Sequence, residues 1–192
     1  MLDCQLAILE NAIARHTATG EVPGPLGSRH PSITPFDAFA TADRPIVIAA
    51  GNDRLFAALC RALERPELAR DRRFASNERR CRHQAALKAA LEAALARRPA
   101  AEWLATLEAA GVPCGPIHTI PEALADPQVL ARNMLVRLAG AAGAAGLKVA
   151  GNPIKLAGAP DPEVRPAAPE LDADRAAILA ELAAHEAAEG EE

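Results

Sequence analysis

Leu2, Leu6, Leu9 and Ile13 recur at three- to four-residue spacing, which predicts an amphipathic helix running from the first residues to about Gly20. No capping residue precedes it, so the chain reads as one that opens inside a larger unit. Pro23, Gly24, Pro25, Gly27, Pro31 and Pro35 crowd the next stretch, and 21–35 is expected to be a loop or linker. Phe36–Phe39 then alternates, and Pro45–Ala50 is a short apolar run. With the turn signal Thr41–Arg44 between them, the two predict a β-hairpin. Asn52 or Asp53 caps a helix carrying Leu55, Phe56, Leu59 and Leu63 on one face.

Pro66 interrupts that helix, and 66–82 reads as short, turn-like and basic. Leu87, Leu91, Ala94 and Leu95 form a helical stripe ending before Pro99. Trp103, Leu104 and Leu107 anchor another over 101–109, stopped by Gly111. Val112–Ile117 holds two prolines and a glycine and is expected to be a fixed irregular turn. Asp126 caps a short helix with Pro127 at its first position. Leu135–Leu138 and Leu147–Ala150 are expected strands around the loop Gly140–Gly146, and Ile154–Leu156 another brief extended piece. A proline-rich linker, Ala159–Pro169, leads to a last capped helix from Asp172 to about His185, and 186–192 reads as a disordered acidic tail.

Composition narrows the class. Half of the 192 residues are hydrophobic but only 3% are aromatic, so the core is filled by small side chains in a helix-rich α/β chain. The net charge of −4 gives no reason to expect nucleic acid or an anionic membrane as partner. No apolar run reaches the roughly 18–20 residues needed to span a bilayer, and the N-terminus carries acids where a signal peptide would be basic. A cytoplasmic protein is the expectation. Cys4, Cys60, Cys81 and Cys114 lack metal-ligand spacing and read as free thiols.

Eight arginines between Arg61 and Arg82 are the strongest charge feature. Guanidinium forks suit phosphate, but neighbouring Glu64, Glu67, Asp71 and Glu78 favour a solvated, paired surface. His30, beside Arg29 and Ser32 in a tight loop, reads either as an acid, base or substrate clamp or as a loop-structural residue. The remaining histidines read as surface. Cys114, beside Gly115, reads as a structural thiol in preference to a reactive one, because no base stands near it in the sequence.

Five segments together resemble the class III (CaiB/BaiF-type, formyl-CoA transferase-like) CoA-transferases: Gly27–Phe36, Ile46–Asn52, Ala110–Ile117, Asp126–Gln128 and Gly151–Leu156. The resemblance runs from Met1 to about Glu181 and implies the C-terminal part of that fold, a partial Rossmann-like large domain plus a small α+β domain. On that analogy 1–20 is a large-domain helix, 21–35 a linker and active-site loop, 36–110 the small domain, and 111–185 the linker and return to the large domain. The implied chemistry moves CoA from an acyl-CoA donor to a free carboxylic acid, through an aspartate that forms an acyl anhydride and then an enzyme–CoA thioester. The matching aspartate would lie upstream of Met1, so no catalytic residue is carried over; Asp3 matches a position in the following helix. Arg29, His30 and Ser32 become the candidates for contact with acyl group or acid, although the stretch Ser28–Thr34 lacks the glycine run that some members have there. The resemblance implies a coenzyme A thioester as substrate, no covalent or metal cofactor, and an interlocked homodimer or a separate N-terminal half as partner. A non-catalytic remnant and, more weakly, a 2-methylacyl-CoA racemase of the same fold are the alternatives.

Overall fold

The expected N-terminal helix is present as two, α1 (Leu2–Ala7) and α2 (Glu10–Thr19). The break lies at Ile8–Leu9, where the Leu9 N–H bonds the Leu6 carbonyl and the coil tightens from four-residue to three-residue spacing. Neither helix buries a residue, and Gly20 ends α2 at φ +74°. The computed structural model describes residues 1–139 and 146–189. They fall into two compact units, Met1–Ile117 and His118–Glu192.

In the first unit the predicted hairpin forms: β1 (Phe36–Phe39) pairs antiparallel with β2 (Ile46–Ala49), Phe39 opposite Ile46. Alternation puts Phe39, Ile46 and Ile48 inside. Asn52 caps α3 (Asp53–Ala62), its Oδ1 accepting the Leu55 N–H at 2.8 Å. The basic stretch is more ordered than expected and contains α4 (Pro66–Arg70) and α5 (Asn77–Arg82), with Ser76 capping the latter. Two longer helices follow, α6 (Gln84–Leu95) and α7 (Ala100–Ala109). Their stripes close the core, which centres on fully buried Trp103, whose indole N–H donates to the Leu95 carbonyl at 2.7 Å.

Gly111 ends α7 at φ +68°, as expected. The next segment departs from expectation, because Cys114–Pro116 forms a strand, β3, antiparallel to β2 and at the edge of the sheet. Its proline, Pro116, is tolerated because an edge strand leaves one side of its backbone unpaired and Pro116 faces that side.

The second unit opens with α8 (Ile120–Ala125), which the apolar pattern did not predict, and α9 (Pro127–Ala131), capped by Asp126 as expected. β4 (Leu135–Ala139) pairs antiparallel with β5 (Lys148–Ala150) and parallel with β6 (Val164–Pro166). The predicted strands are there, but the third strand lies inside the proline-rich linker. Ile154–Leu156 is not a strand; both hydrophobics are exposed. The loop predicted at Gly140–Gly146 falls, but for Gly146, outside the described residues, as does the end of the predicted tail. The last helix, α10 (Arg175–Glu189), starts three residues after Asp172, whose φ of +67° is not helical, and runs beyond His185. Among the described residues no helix is long and apolar enough to cross a membrane.

Candidate functional site

The loop before β1 folds back over the strand that follows it. The His30 N–H donates to the Phe36 carbonyl at 2.9 Å, and the His30 ring stacks on the Phe36 ring, centroids 5.3 Å apart and 10° from parallel. The Ser32 N–H donates to His30 Nδ1 at 3.2 Å. A ring nitrogen that accepts carries no proton, so in the neutral ring Nε2 is the donor. Arg29 and Ser32 are exposed and His30 is half-buried. The three predicted site residues therefore share one tight loop, with His30 and Ser32 in direct contact.

What fixes the loop comes from elsewhere in the chain. Ser28 Oγ donates to Asp37 Oδ1 at 2.6 Å, and Lys88 of α6 donates to Asp37 Oδ2 at 2.7 Å and to the Ala38 carbonyl at 2.9 Å. Asp37 is 5% exposed. Burial pushes its carboxyl up, but hydrogen bonds from Lys88, Ser28 and the Ala38 N–H outweigh that and hold it below the usual aspartate value. On the other side, Asn77 of α5 accepts the Thr34 N–H at 3.0 Å and donates to the Ser32 carbonyl at 2.8 Å.

Arg80 overturns the solvated-surface reading of the arginine run at one position. Its side chain is fully buried, with the guanidinium 4.7 Å from the centre of the Phe56 ring. It donates to the carbonyls of Thr34 (2.7 Å), Gly51 (2.9 Å) and Phe74 (3.1 Å), and meets Asp53 at 2.8 Å. Arg73 and Arg82 fit the surface reading, exposed and paired with Asp71 and Glu78. A signal for Arg80 was available in retrospect: Asn77, Arg80 and Cys81 stand at i, i+3 and i+4 and so share one helix face. All three touch Thr34.

Ile33 packs against Gly51 so closely that a Cβ at Gly51 would lie 2.0 Å from its Cγ2. Beside them is an open groove of about 600 Å³, lined by Ile33, Phe36, Gly51, Asn52, Asp53 and Asn77 among others. Cys114 is half-buried and its thiol is pushed up, first by burial and then by Glu108, which fits a structural thiol.

The profile of CoA-transferase family III matches residues 1–175. The chain belongs to CoA-transferase family III. It is 48% identical over 187 residues to an acetyl-CoA:oxalate CoA-transferase of Acetobacter aceti, covering 97% of this chain and 46% of that one. Against a succinate–glutarate CoA-transferase of Agrobacterium fabrum, identity is 35% over 182 residues, 95% of this chain and 45% of the other. Among solved structures, a CaiB/BaiF family protein from Brucella suis superposes with a TM-score of 0.71 at 36% identity, covering 94% of this chain and 46% of that one. This family III chain thus spans about half the length of the relatives it matches, and its mixed α/β fold is theirs.

Proposed function

We propose that this chain works as part of a CoA-transferase that moves CoA from an acyl-CoA donor to a carboxylic acid, with the nucleophilic aspartate lying outside these 192 residues. The observation that carries the reading is the 48% identity to an acetyl-CoA:oxalate CoA-transferase across 97% of the chain. That similarity makes acetyl-CoA and oxalate the pair to test first. Arg29, His30 and Ser32 are assigned to contact with the acyl group or the acid. Arg29 and His30 Nε2 are donors suited to a carboxylate, and the bonds that pin the loop support this role. The family resemblance also supports 1–20 as a large-domain helix, 36–110 as the small domain and 111–185 as the return to the large one, in a cytoplasmic, interlocked dimer.

The test is to incubate acetyl-CoA and oxalate with the chain alone and with the polypeptide extended upstream, following oxalyl-CoA by mass spectrometry. Product is expected only from the extended form. Turnover by the chain alone overturns the external nucleophile. Absence of product from both forms, with oxalate, succinate and glutarate in turn, overturns the transferase reading in favour of a non-catalytic remnant.

A further inference from the structure

We propose that Asn77 is a positioning residue for the loop Arg29–Thr34, holding the Ser32 peptide so that His30 and Ser32 keep one fixed arrangement toward substrate. This rests on the assignment of that loop to substrate contact. The amide of Asn77 meets a backbone donor with one atom and a backbone acceptor with the other: Oδ1 takes the Thr34 N–H at 3.0 Å and Nδ2 gives to the Ser32 carbonyl at 2.8 Å. The two partners fix which atom is oxygen, since exchanging them would break both bonds. Asn77 thereby imitates a neighbouring strand, bracketing Ile33 where no strand is present. Ser32 is held at its other end too, its N–H donating to His30 Nδ1 at 3.2 Å. One short line of bonds therefore runs from Asn77 through Ser32 to the imidazole.

Aspartate cannot replace this residue at neutral pH. It keeps an acceptor for Thr34 but turns a second oxygen toward the Ser32 carbonyl, where a donor is needed. Alanine removes both bonds. Asn77 also lines the groove beside Ile33, Gly51 and Asp53, so its loss disturbs the wall next to the loop as well.

The experiment is a double-mutant cycle of Asn77→Ala with His30→Ala in whichever form of the protein turns over acetyl-CoA and oxalate, read as kcat/KM with melting followed in parallel. Asn77→Ala alone is expected to lower kcat/KM by about 10- to 100-fold, and by less than about 3-fold once His30 is alanine, because the line of bonds then ends on nothing. Asn77→Asp is expected to recover part of its loss relative to the parent as pH falls from about 7 toward the ordinary aspartate value of about 4, where the carboxyl gains a proton to donate. That variant carries the test if Asn77→Ala does not fold. Additive losses in the cycle, an unchanged kcat/KM in a folded Asn77→Ala protein, or an Asn77→Asp pH profile parallel to the parent overturns the proposal. If His30→Ala leaves kcat/KM unchanged, or no form turns over, the reading of the loop fails and this proposal falls with it. Loss with His30→Ala but not with Asn77→Ala sinks the proposal alone.

Discussion

Arg80 Nε donates to the Thr34 carbonyl at 2.7 Å across 46 residues of chain, a buried cation tying the candidate loop to α5. Two more carbonyls and the Asp53 carboxylate complete its surroundings. A buried guanidinium is stable only when its donors are matched, and this one satisfies backbone acceptors that no ladder reaches.

Arg80→Ala is therefore expected to destabilise the first unit by about 3–5 kcal/mol, since it strands three carbonyls and opens a cavity beside Phe56. Arg80→Lys keeps the charge but cannot reach all three carbonyls from one plane, and about 2 kcal/mol of loss is expected. The single tryptophan, buried Trp103, reports the transition: its urea midpoint by fluorescence should fall in that order.

Asp37→Asn is expected to cost about 2 kcal/mol at neutral pH, by removing the charge-assisted bond from Lys88. The pH arm follows from the lowered carboxyl. The folded state binds its proton less readily than the unfolded chain, so the contribution is complete above the ordinary value of 3.8 and is lost as pH falls through the lower folded value. Acid titration of the Trp103 signal should show a shallower loss of stability in Asp37→Asn than in the parent over that window.

Gly151→Ala should be far more damaging than Gly51→Ala. A Cβ at Gly151 would sit 2.2 Å from the Asn133 carbonyl oxygen and 2.9 Å from the Met134 Cα, both backbone atoms. The second unit must open there, at an expected cost of about 3 kcal/mol, visible as faster amide exchange of Leu138 and Gly151, both bonded in the folded ladder. At Gly51 the obstacle is the Ile33 side chain, and Ile33→Ala in the same chain should restore most of the lost stability.

Cys60 is fully buried and its thiol is pushed up to about 12, chiefly by burial. Iodoacetamide at about pH 8 should label exposed Cys4 and leave Cys60 unmodified until the chain unfolds. Peptide mass spectrometry across a urea series checks this, and Cys60 labelling should track the Trp103 transition.

Where local chemistry decides, the sequence was a sound guide. The β1–β2 hairpin follows from alternation and a turn, α3 from the Asn52 cap, and α6 and α7 from spacing of Leu and Trp. What escaped depends on partners distant in the chain. β3 is a strand only because β2 lies beside it; alone, Val112–Ile117 has the punctuation of a turn. β6 is three residues that pair with β4 from within a proline-rich stretch. In the candidate site the loop with Arg29, His30 and Ser32 was found, whereas Asn77 and Lys88 were not. Their spacing marks helix faces but not the peptide each face will meet. Arg80 was hidden in a run of like residues, most of which are solvated.

Pro116, the last residue of β3, has a consequence beyond the turn its segment advertises. Pro113 and Gly115 face β2 and Cys114 and Pro116 face away from it, so the outer margin of β3 keeps the Cys114 amide but has none at Pro116 for a fourth strand to use. Among the described residues, this border weakens recruitment of a further strand by withholding one donor, without any charge having to guard it.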